Sequence, residues 1–167
     1  DDIEKKRANA IKILARYIYK EVEKMDVRLV SFNSGKMHNA IPRDGRFIIA
    51  VPADRKEEVR VDWNVFASEV EEEFHVSDTQ MVWNMQSTDA QPVIEKAVAD
   101  RFIRALQAVD NGVFAMCQDK ALETMVETSS NIASIITEDE KISCVASQRS
   151  NVMSNLDNMC NTVKAVF

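Results

Sequence analysis

Two polar side chains of this chain have the chemistry and the setting to hold a small polar ligand. Asn39 lies in residues 34–44, where Gly35 and Pro42 restrict the backbone between two strand-like runs. An amide both donates and accepts hydrogen bonds, so a rigid loop can point it at a ligand. Arg149 stands where the last predicted strand gives way to the last helix, and its guanidinium fork suits a carboxylate. The simpler interpretations are a turn residue for Asn39 and a surface charge for Arg149.

The rest of the sequence lacks the residues of a complete hydrolase or transferase site. Only His38 and His75 occur, and neither belongs to a His-Glu-x-x-His or similar metal-binding array. The glutamates of residues 69–73 point in different directions around a helix and are interpreted as a solvated face. There is no Gly-x-Ser-x-Gly elbow and no glycine-rich phosphate loop. We therefore predict no catalytic residue and no metal ligand in this chain.

The composition favours one soluble domain that is rich in helices. The chain has 167 residues, of which 46% are hydrophobic and 29% charged, with three glycines and three prolines. A net charge of -6 argues against a nucleic-acid surface, which needs clustered lysine and arginine. No apolar run approaches the roughly 20 residues of a membrane helix. Cys117, Cys144 and Cys160 form no Cys-x-x-Cys pair, which favours buried free thiols in a reducing cytoplasm.

Apolar residues at helical spacing predict four amphipathic helices. The helices are expected near residues 7–25, 54–74, 92–109 and 152–163. Asp54 and Glu57 can form a capping box for the second helix, and Pro92 suits the first turn of the third. Asn111–Gly112 is expected to close the third helix.

Runs of β-branched and apolar residues predict five strands. The strands are expected near residues 27–32, 46–51, 81–85, 126–136 and 142–147, the last two joined as a hairpin by the acidic turn 137–140. The predicted order repeats a strand pair flanked by helices, with possible halves at residues 1–90 and 91–167. Helices on one face of an antiparallel sheet would bury every apolar stripe, so we predict a two-layer α+β domain with ferredoxin-like halves. Residues 126–131 are unusually polar for a strand and are expected to face water rather than to line a pocket.

Both ends of the chain look cut. Residues 1–7 have no initiator methionine and no signal peptide, and they run directly into a helical pattern. The last residues, Val166–Phe167, are an apolar pair in a helix that looks unfinished. We interpret residues 1–167 as a single excised domain, with a strand missing before residue 1 and another after residue 167.

Three stretches, residues 1–14, 37–44 and 126–131, together resemble the aminoacyl-histidine dipeptidases, also called cytosol non-specific dipeptidases or peptidase D. In that family a catalytic domain holds two zinc ions, and an inserted lid domain closes over the substrate and mediates dimer contacts. This chain is similar to the lid alone. The resemblance implies a cytoplasmic, homodimeric dipeptidase parent that binds a dipeptide. It also implies that the two zinc ions and the catalytic centre belong to the catalytic domain of the same polypeptide.

The resemblance also assigns roles to individual residues. Asn39 matches the substrate-binding asparagine of the family's loop, and Arg149 matches its carboxylate-binding arginine. The chain departs from many relatives at Glu4, where a histidine is common, and at His38, where an arginine is common. These departures weaken any expectation of histidine specificity.

Two other functional classes compete with this interpretation. A free-standing ferredoxin-like module for dimerisation or small-ligand binding would need no catalytic partner, and the length of the open reading frame distinguishes it. An RNA-binding α/β domain would need exposed strand aromatics and a basic face, and neither is evident in the sequence.

Overall fold

Four helices and five strands make up residues 3–167, the part of the chain that the computed structural model describes. The helices are α1 (Ala10–Lys24), α2 (Lys56–Glu73), α3 (Lys96–Ala108) and α4 (Met153–Val166). The strands are β1 (Arg28–Ser34), β2 (Gly45–Ala50), β3 (Gly112–Met116), β4 (Val126–Glu138) and β5 (Lys141–Ser150). None of the helices in this part of the chain combines the length and the hydropathy needed to cross a bilayer.

The longest strand, β4, organises the antiparallel sheet. β5 pairs with one edge of β4 along almost its whole length. The other edge is shared, because β3 pairs with the first residues of β4, up to Ser130, and β1 meets it at Ile135. β2 then pairs with the far side of β1. On this shared edge, residues 131–134 of β4 lie between β3 and β1 and pair with neither of them.

The helices cover one face of this sheet, as predicted. Ile132 and Ile135 of β4 are fully buried in the core, together with Ile11, Ile18 and Leu106 from the helices. The opposite face of the hairpin is open, since Ile136 is 49% exposed and Val145 is 41% exposed. The predicted α+β class and the hairpin are therefore confirmed.

An aromatic cluster joins α1, α2 and β2. It is formed by Tyr17, Phe47, Trp63, Phe66 and Trp83, with the Tyr17 and Trp63 ring centroids 4.9 Å apart. The Tyr17 hydroxyl donates a hydrogen bond of 2.8 Å to the Val59 carbonyl, so its one polar group is satisfied inside the core.

One predicted strand is wrong and one strand was missed. Residues 79–95 have no regular secondary structure, although Met81, Trp83 and Met85 do share a side that packs on the core. Alternating polarity is the same in a strand and in an extended segment, and only a hydrogen-bonded neighbour makes a strand. The missed strand is β3, which lies in a part of the sequence with no clear pattern.

Several predicted helix ends are also wrong. α3 begins at Lys96 rather than Pro92, because residues before it are extended and the Ile94 N–H donates to the Leu29 carbonyl at 2.8 Å. α2 follows a short 3-10 turn, and no side chain caps it, so the box of Asp54 and Glu57 does not form.

The third helix also ends early. Its last residue is Ala108, and Asn111–Gly112 leads into β3 instead of closing the helix.

Candidate functional site

The loop of residues 35–44, here called the Asn39 loop, is held at both of its ends. Gly35 has a φ of +73°, and a Cβ at this position would stand 2.0 Å from the Ala133 carbonyl oxygen of β4. Only glycine permits both that conformation and that approach. At the other end, the Ser34 hydroxyl donates to the Asp44 carbonyl at 2.7 Å.

The middle of the Asn39 loop is fixed by two hydrogen bonds to its backbone. The Asn131 side chain donates to the Ala40 carbonyl at 2.9 Å, and the Ala10 N–H donates to the Pro42 carbonyl at 3.0 Å. The loop is thus tied both to β4 and to the start of α1.

A buried carboxylate adds a further anchor. Asp78 is 8% exposed and accepts the Ala8 N–H at 2.8 Å. It also accepts a hydrogen bond of 2.6 Å from the Arg43 guanidinium, and an Arg7 nitrogen lies 3.7 Å away. The pairing neutralises a carboxylate that would be costly to bury alone, and it connects the loop to the segment before α1.

The loop is exposed at its tip, residues 36–39, and again at Arg43 and Asp44 next to β2. The chain turns at His38 and Asn39, and both side chains are exposed. The structure therefore has the property expected from the sequence, a restrained backbone that presents the Asn39 amide outward.

The polar start of β4 is buried, which corrects the expectation that residues 126–131 face water. Thr128, Ser129, Ser130 and Asn131 are all at most 7% exposed. Their side chains find partners: the Thr128 and Ser150 hydroxyls are 2.9 Å apart, and the Gln148 amide donates to Ser130 at 3.2 Å. The polar residue types led to the expectation that this segment faces water. The sequence could not show which neighbouring side chains supply its hydrogen bonds inside the fold.

Three asparagine side chains meet in the gap between β3 and β1. The two N–H groups of the Asn9 side chain face three acceptors: the Asn111 oxygen at 3.2 Å, the Asn131 oxygen at 3.1 Å and the Ile132 carbonyl at 2.9 Å, so one hydrogen is shared between two of them. Asn111 accepts the Ile132 N–H at 2.8 Å. The two backbone groups of Ile132 that face the gap are thus satisfied by side-chain amides in place of a strand. The sequence did not reveal this group, because Asn9 is 102 residues away from Asn111 and 122 residues away from Asn131.

Arg149 lies on the open side of β5, directly opposite Ser129 of β4. It lines a small cavity of about 340 Å³ together with Ser129, Glu4 and residues 124–127. Ser129 and Asn131 point to the same face because they are two residues apart on one strand, a span of about 7 Å. The strand register therefore brings Arg149 to the same region of the sheet as the Asn131 contact to the Asn39 loop.

A larger cavity of about 1280 Å³ lies between β2 and residues 77–91. Its lining includes Arg46, Ile48 and Trp83, but neither Asn39 nor Arg149. The two predicted site residues therefore do not line this cavity, which is the larger of the two described here.

Histidine, cysteine and acidic side chains are the groups that could bind a metal or act as a nucleophile in this chain. In residues 3–167 no three histidine, cysteine, aspartate or glutamate side chains cluster as a metal site would require. Cys117, Cys144 and Cys160 are free and half-buried rather than fully buried. Burial raises the pKa of the Cys144 thiol to about 11, which makes it a poor nucleophile at neutral pH.

Comparison with known proteins identifies relatives of the whole chain. No protein-family model matches it. The cytosol non-specific dipeptidase of Escherichia coli strain K12 is 31% identical over 160 residues, which is 90% of this chain and 32% of that protein. The crystal structure of aminoacylhistidine dipeptidase from Vibrio alginolyticus superposes with a TM-score of 0.91 and 34% identity, over 99% of this chain and 34% of that one.

The chain thus spans about a third of the length of these relatives. The resemblance to the aminoacyl-histidine dipeptidases predicted from the sequence is confirmed, and the α+β fold matches one domain-sized part of such an enzyme.

Proposed function

We propose that this chain is the lid and dimerisation domain of a zinc-dependent dipeptidase that hydrolyses Xaa-His and other dipeptides. The observation that carries the proposal is the extent of the structural match, 99% of this chain against 34% of a dipeptidase. The described residues form no cluster of metal ligands. A chain that matches one domain of a peptidase and lacks such a cluster fits a substrate-binding domain better than a catalytic domain.

In this proposal the chain binds and orients the substrate. Asn39 offers a donor and an acceptor to the peptide backbone, and Arg149 offers its guanidinium to the C-terminal carboxylate. Holding both groups of a dipeptide restricts the scissile bond to one position, which lowers the entropic part of the barrier. The residues described here do not fit a zinc site, so we assign the two zinc ions to polypeptide outside these 167 residues.

The partners proposed for the parent enzyme follow from the same assignment. They are a dipeptide substrate, the catalytic domain of the same polypeptide and a second copy in a homodimer. We propose a cytoplasmic location and no nucleic-acid or membrane partner. The 167 residues alone are expected to hydrolyse no dipeptide, and zinc-dependent cleavage by the purified chain would contradict this division of labour.

The replacement Arg149→Ala in the full-length enzyme tests the proposal directly. Loss of a charge-assisted anchor is expected to cost about 2–3 kcal/mol of transition-state stabilisation, so kcat/KM for dipeptides should fall at least about tenfold. Lys141→Ala, which removes an exposed cation from the same strand, is the matched control and should leave kcat/KM within about twofold. Unchanged turnover by the Arg149 variant would remove this residue from the substrate site.

A further inference from the structure

The gap in the sheet between β3 and β1 has an unusual filling. A neighbouring strand would normally form hydrogen bonds with the backbone N–H and C=O groups of β4 there. Instead, the Ile132 N–H donates to the Asn111 side chain and the Ile132 carbonyl accepts from the Asn9 side chain. Asn9 and Asn131 are 4% and 7% exposed, so water cannot easily replace a lost partner. These three residues, Asn9, Asn111 and Asn131, are called the amide network below.

The amide network ends on the Asn39 loop. Asn131 uses its oxygen to accept from Asn9 and its nitrogen to donate to the Ala40 carbonyl, at 3.1 and 2.9 Å. Ala40 directly follows Asn39 in the chain. The same β4 strand is paired with β5, where Arg149 lies. One set of hydrogen bonds therefore connects the loop to the strand pair that carries the second candidate site residue.

We propose that the amide network is a positioning device that holds the Asn39 amide at a fixed place relative to Arg149. Asn9, Asn111 and Asn131 touch no substrate and act through the Ala40 carbonyl. This inference rests on the proposed function, because it gives the network a role in binding the dipeptide through Asn39.

The chemistry of each amide explains why asparagine is needed. Asn131 must donate and accept at the same time, which a carboxylate or an aliphatic side chain of similar size cannot do. Asn9 must donate into the gap with its nitrogen, while its oxygen accepts the Lys12 N–H at 3.2 Å as the cap of α1. Asn111 acts only as an acceptor in these contacts.

Because the three side chains donate and accept differently, the same replacement by aspartate removes different hydrogen bonds at each position. Asn→Asp keeps the size of the side chain, adds one negative charge and removes the N–H donors in each case. Asn131→Asp loses the hydrogen bond to Ala40. Asn9→Asp loses the donors into the gap and keeps the oxygen that caps α1. Asn111→Asp keeps both of its acceptor contacts and serves as the control.

The first measurement is the rate at which trypsin cleaves the full-length enzyme after Lys36, which lies exposed in the Asn39 loop. Asn131→Asp is expected to speed this cleavage about tenfold, because the hold on the Ala40 carbonyl is lost and the loop opens more often. Asn111→Asp should leave the cleavage rate within about twofold of the parent. Equal cleavage rates in the Asn131 and Asn111 variants would overturn the proposal. Should Asn131→Asp fail to fold, Asn9→Asp takes its place in both measurements.

The second measurement is a double-mutant cycle on kcat/KM with Asn39→Ala. Asn131→Asp alone should lower kcat/KM about tenfold, and in the Asn39→Ala background it should have less than about a twofold effect. A merely structural role would give the same fold loss in both backgrounds and would overturn the inference.

The cycle also separates the substrate-binding role of Asn39 from the positioning role of the amide network. If Asn39→Ala alone leaves kcat/KM unchanged, the proposed role of Asn39 in substrate binding is wrong, and the network loses its target with it. If Asn39→Ala lowers kcat/KM while the two effects simply add, the proposed function stands and only the positioning role is wrong.

Discussion

Two irregular segments of this domain are held in opposite ways. The Asn39 loop is tied by hydrogen bonds to its backbone at Ala40 and Pro42 and by an ion pair at Arg43. Residues 79–91, here called the strap, run beside β2 and, within the described chain, make no backbone hydrogen bond to it. The strap is held instead by half-buried side chains at every second position, Met81, Trp83 and Met85.

The two kinds of attachment suit the two segments to different roles. Hydrogen bonds are directional, so several of them fix the orientation of a loop as well as its place. Apolar contacts are not directional, and they keep a segment against the core while leaving its exact path less defined. A loop that must present one amide needs the first kind of attachment, whereas a cover over aromatic side chains needs only the second.

The same contrast is visible in the buried polar groups. Around the Asn39 loop, Asn9, Asn131 and Asp78 all have hydrogen-bond partners. Around the aromatic cluster, Glu21 Oε2 and Trp83 Nε1 are buried polar atoms without a partner in residues 3–167. Hydrogen bonds thus orient the Asn39 loop, whereas packing of apolar side chains supplies the stability around the aromatic cluster.

Gly35→Ala is expected to have the largest effect, because Gly35 is the point at which the Asn39 loop lies against β4. The new Cβ would overlap the Ala133 carbonyl and the φ of +73° would be strained. We expect a loss of at least about 3 kcal/mol in the free energy of unfolding, measured by urea denaturation. Gly112→Ala is the matched control: its φ is +120° but its Cβ would meet nothing within 4 Å, so only strain of about 1–2 kcal/mol is expected. Equal losses would show that close approach to β4 does not hold the loop.

Trp83→Ala tests whether packing holds the strap. The indole makes edge-to-face contacts with Trp63 at 5.4 Å and Phe66 at 6.2 Å, so its removal should cost about 2–3 kcal/mol. Trp83→Phe keeps most of these contacts and removes the unpaired N–H, and should cost under about 1 kcal/mol. Val82, which is 84% exposed, provides the control, and Val82→Ala should change stability by less than about 0.5 kcal/mol. If the Val82 and Trp83 variants destabilised equally, the strap would not be held by its inward side chains.

Glu21→Gln gives the smallest effect and depends on pH. Burial is the main reason that the pKa of Glu21 is raised in the folded protein. The unfolded chain loses this proton at the ordinary, lower pKa, so stability falls as pH rises from that value to the raised one. A glutamine cannot ionise, and we expect Glu21→Gln to raise stability by about 1 kcal/mol at pH 7 and to have no such effect near pH 4.

The control for this prediction is Glu71→Gln on the exposed side of α2, which should change stability by less than about 0.5 kcal/mol at either pH. Thermal unfolding at pH 4 and pH 7 measures both variants. A Glu21 variant that gained stability equally at the two pH values would exclude ionisation as the cause.

Much of the fold could be predicted because it depends on local pattern. α1, α4 and the β4–β5 hairpin have long apolar periodicities or a short connecting turn, and they were predicted within a few residues. The strap was predicted as a strand because its alternation is real, although its hydrogen-bonding partner is missing. β3 has only five residues, and its existence depends on pairing with a strand that begins ten residues after it ends.

The candidate site was predictable only in part for the same reason. Asn39 stands out through the local turn signals of Gly35 and Pro42, and Arg149 through its place at the end of a strand. Asn9 could have been identified as a helix cap, since it precedes an apolar periodic run. Its meeting with Asn111 and Asn131 could not have been foreseen, because no local rule connects residues so far apart in the chain.

By itself the sequence determined the α+β class, the helix faces, the turn at Asn39 and the relationship to the dipeptidases. These properties depend on spacing between near neighbours or on similarity along the chain, and both can be read without coordinates. Tertiary structure alone decided that a strand is missing beside residues 131–134, that side-chain amides take its place, and that the strap forms no strand. The physical reason is that a backbone hydrogen bond across the sheet depends on a partner chosen by the whole fold, whereas periodicity depends only on the residue and its neighbours.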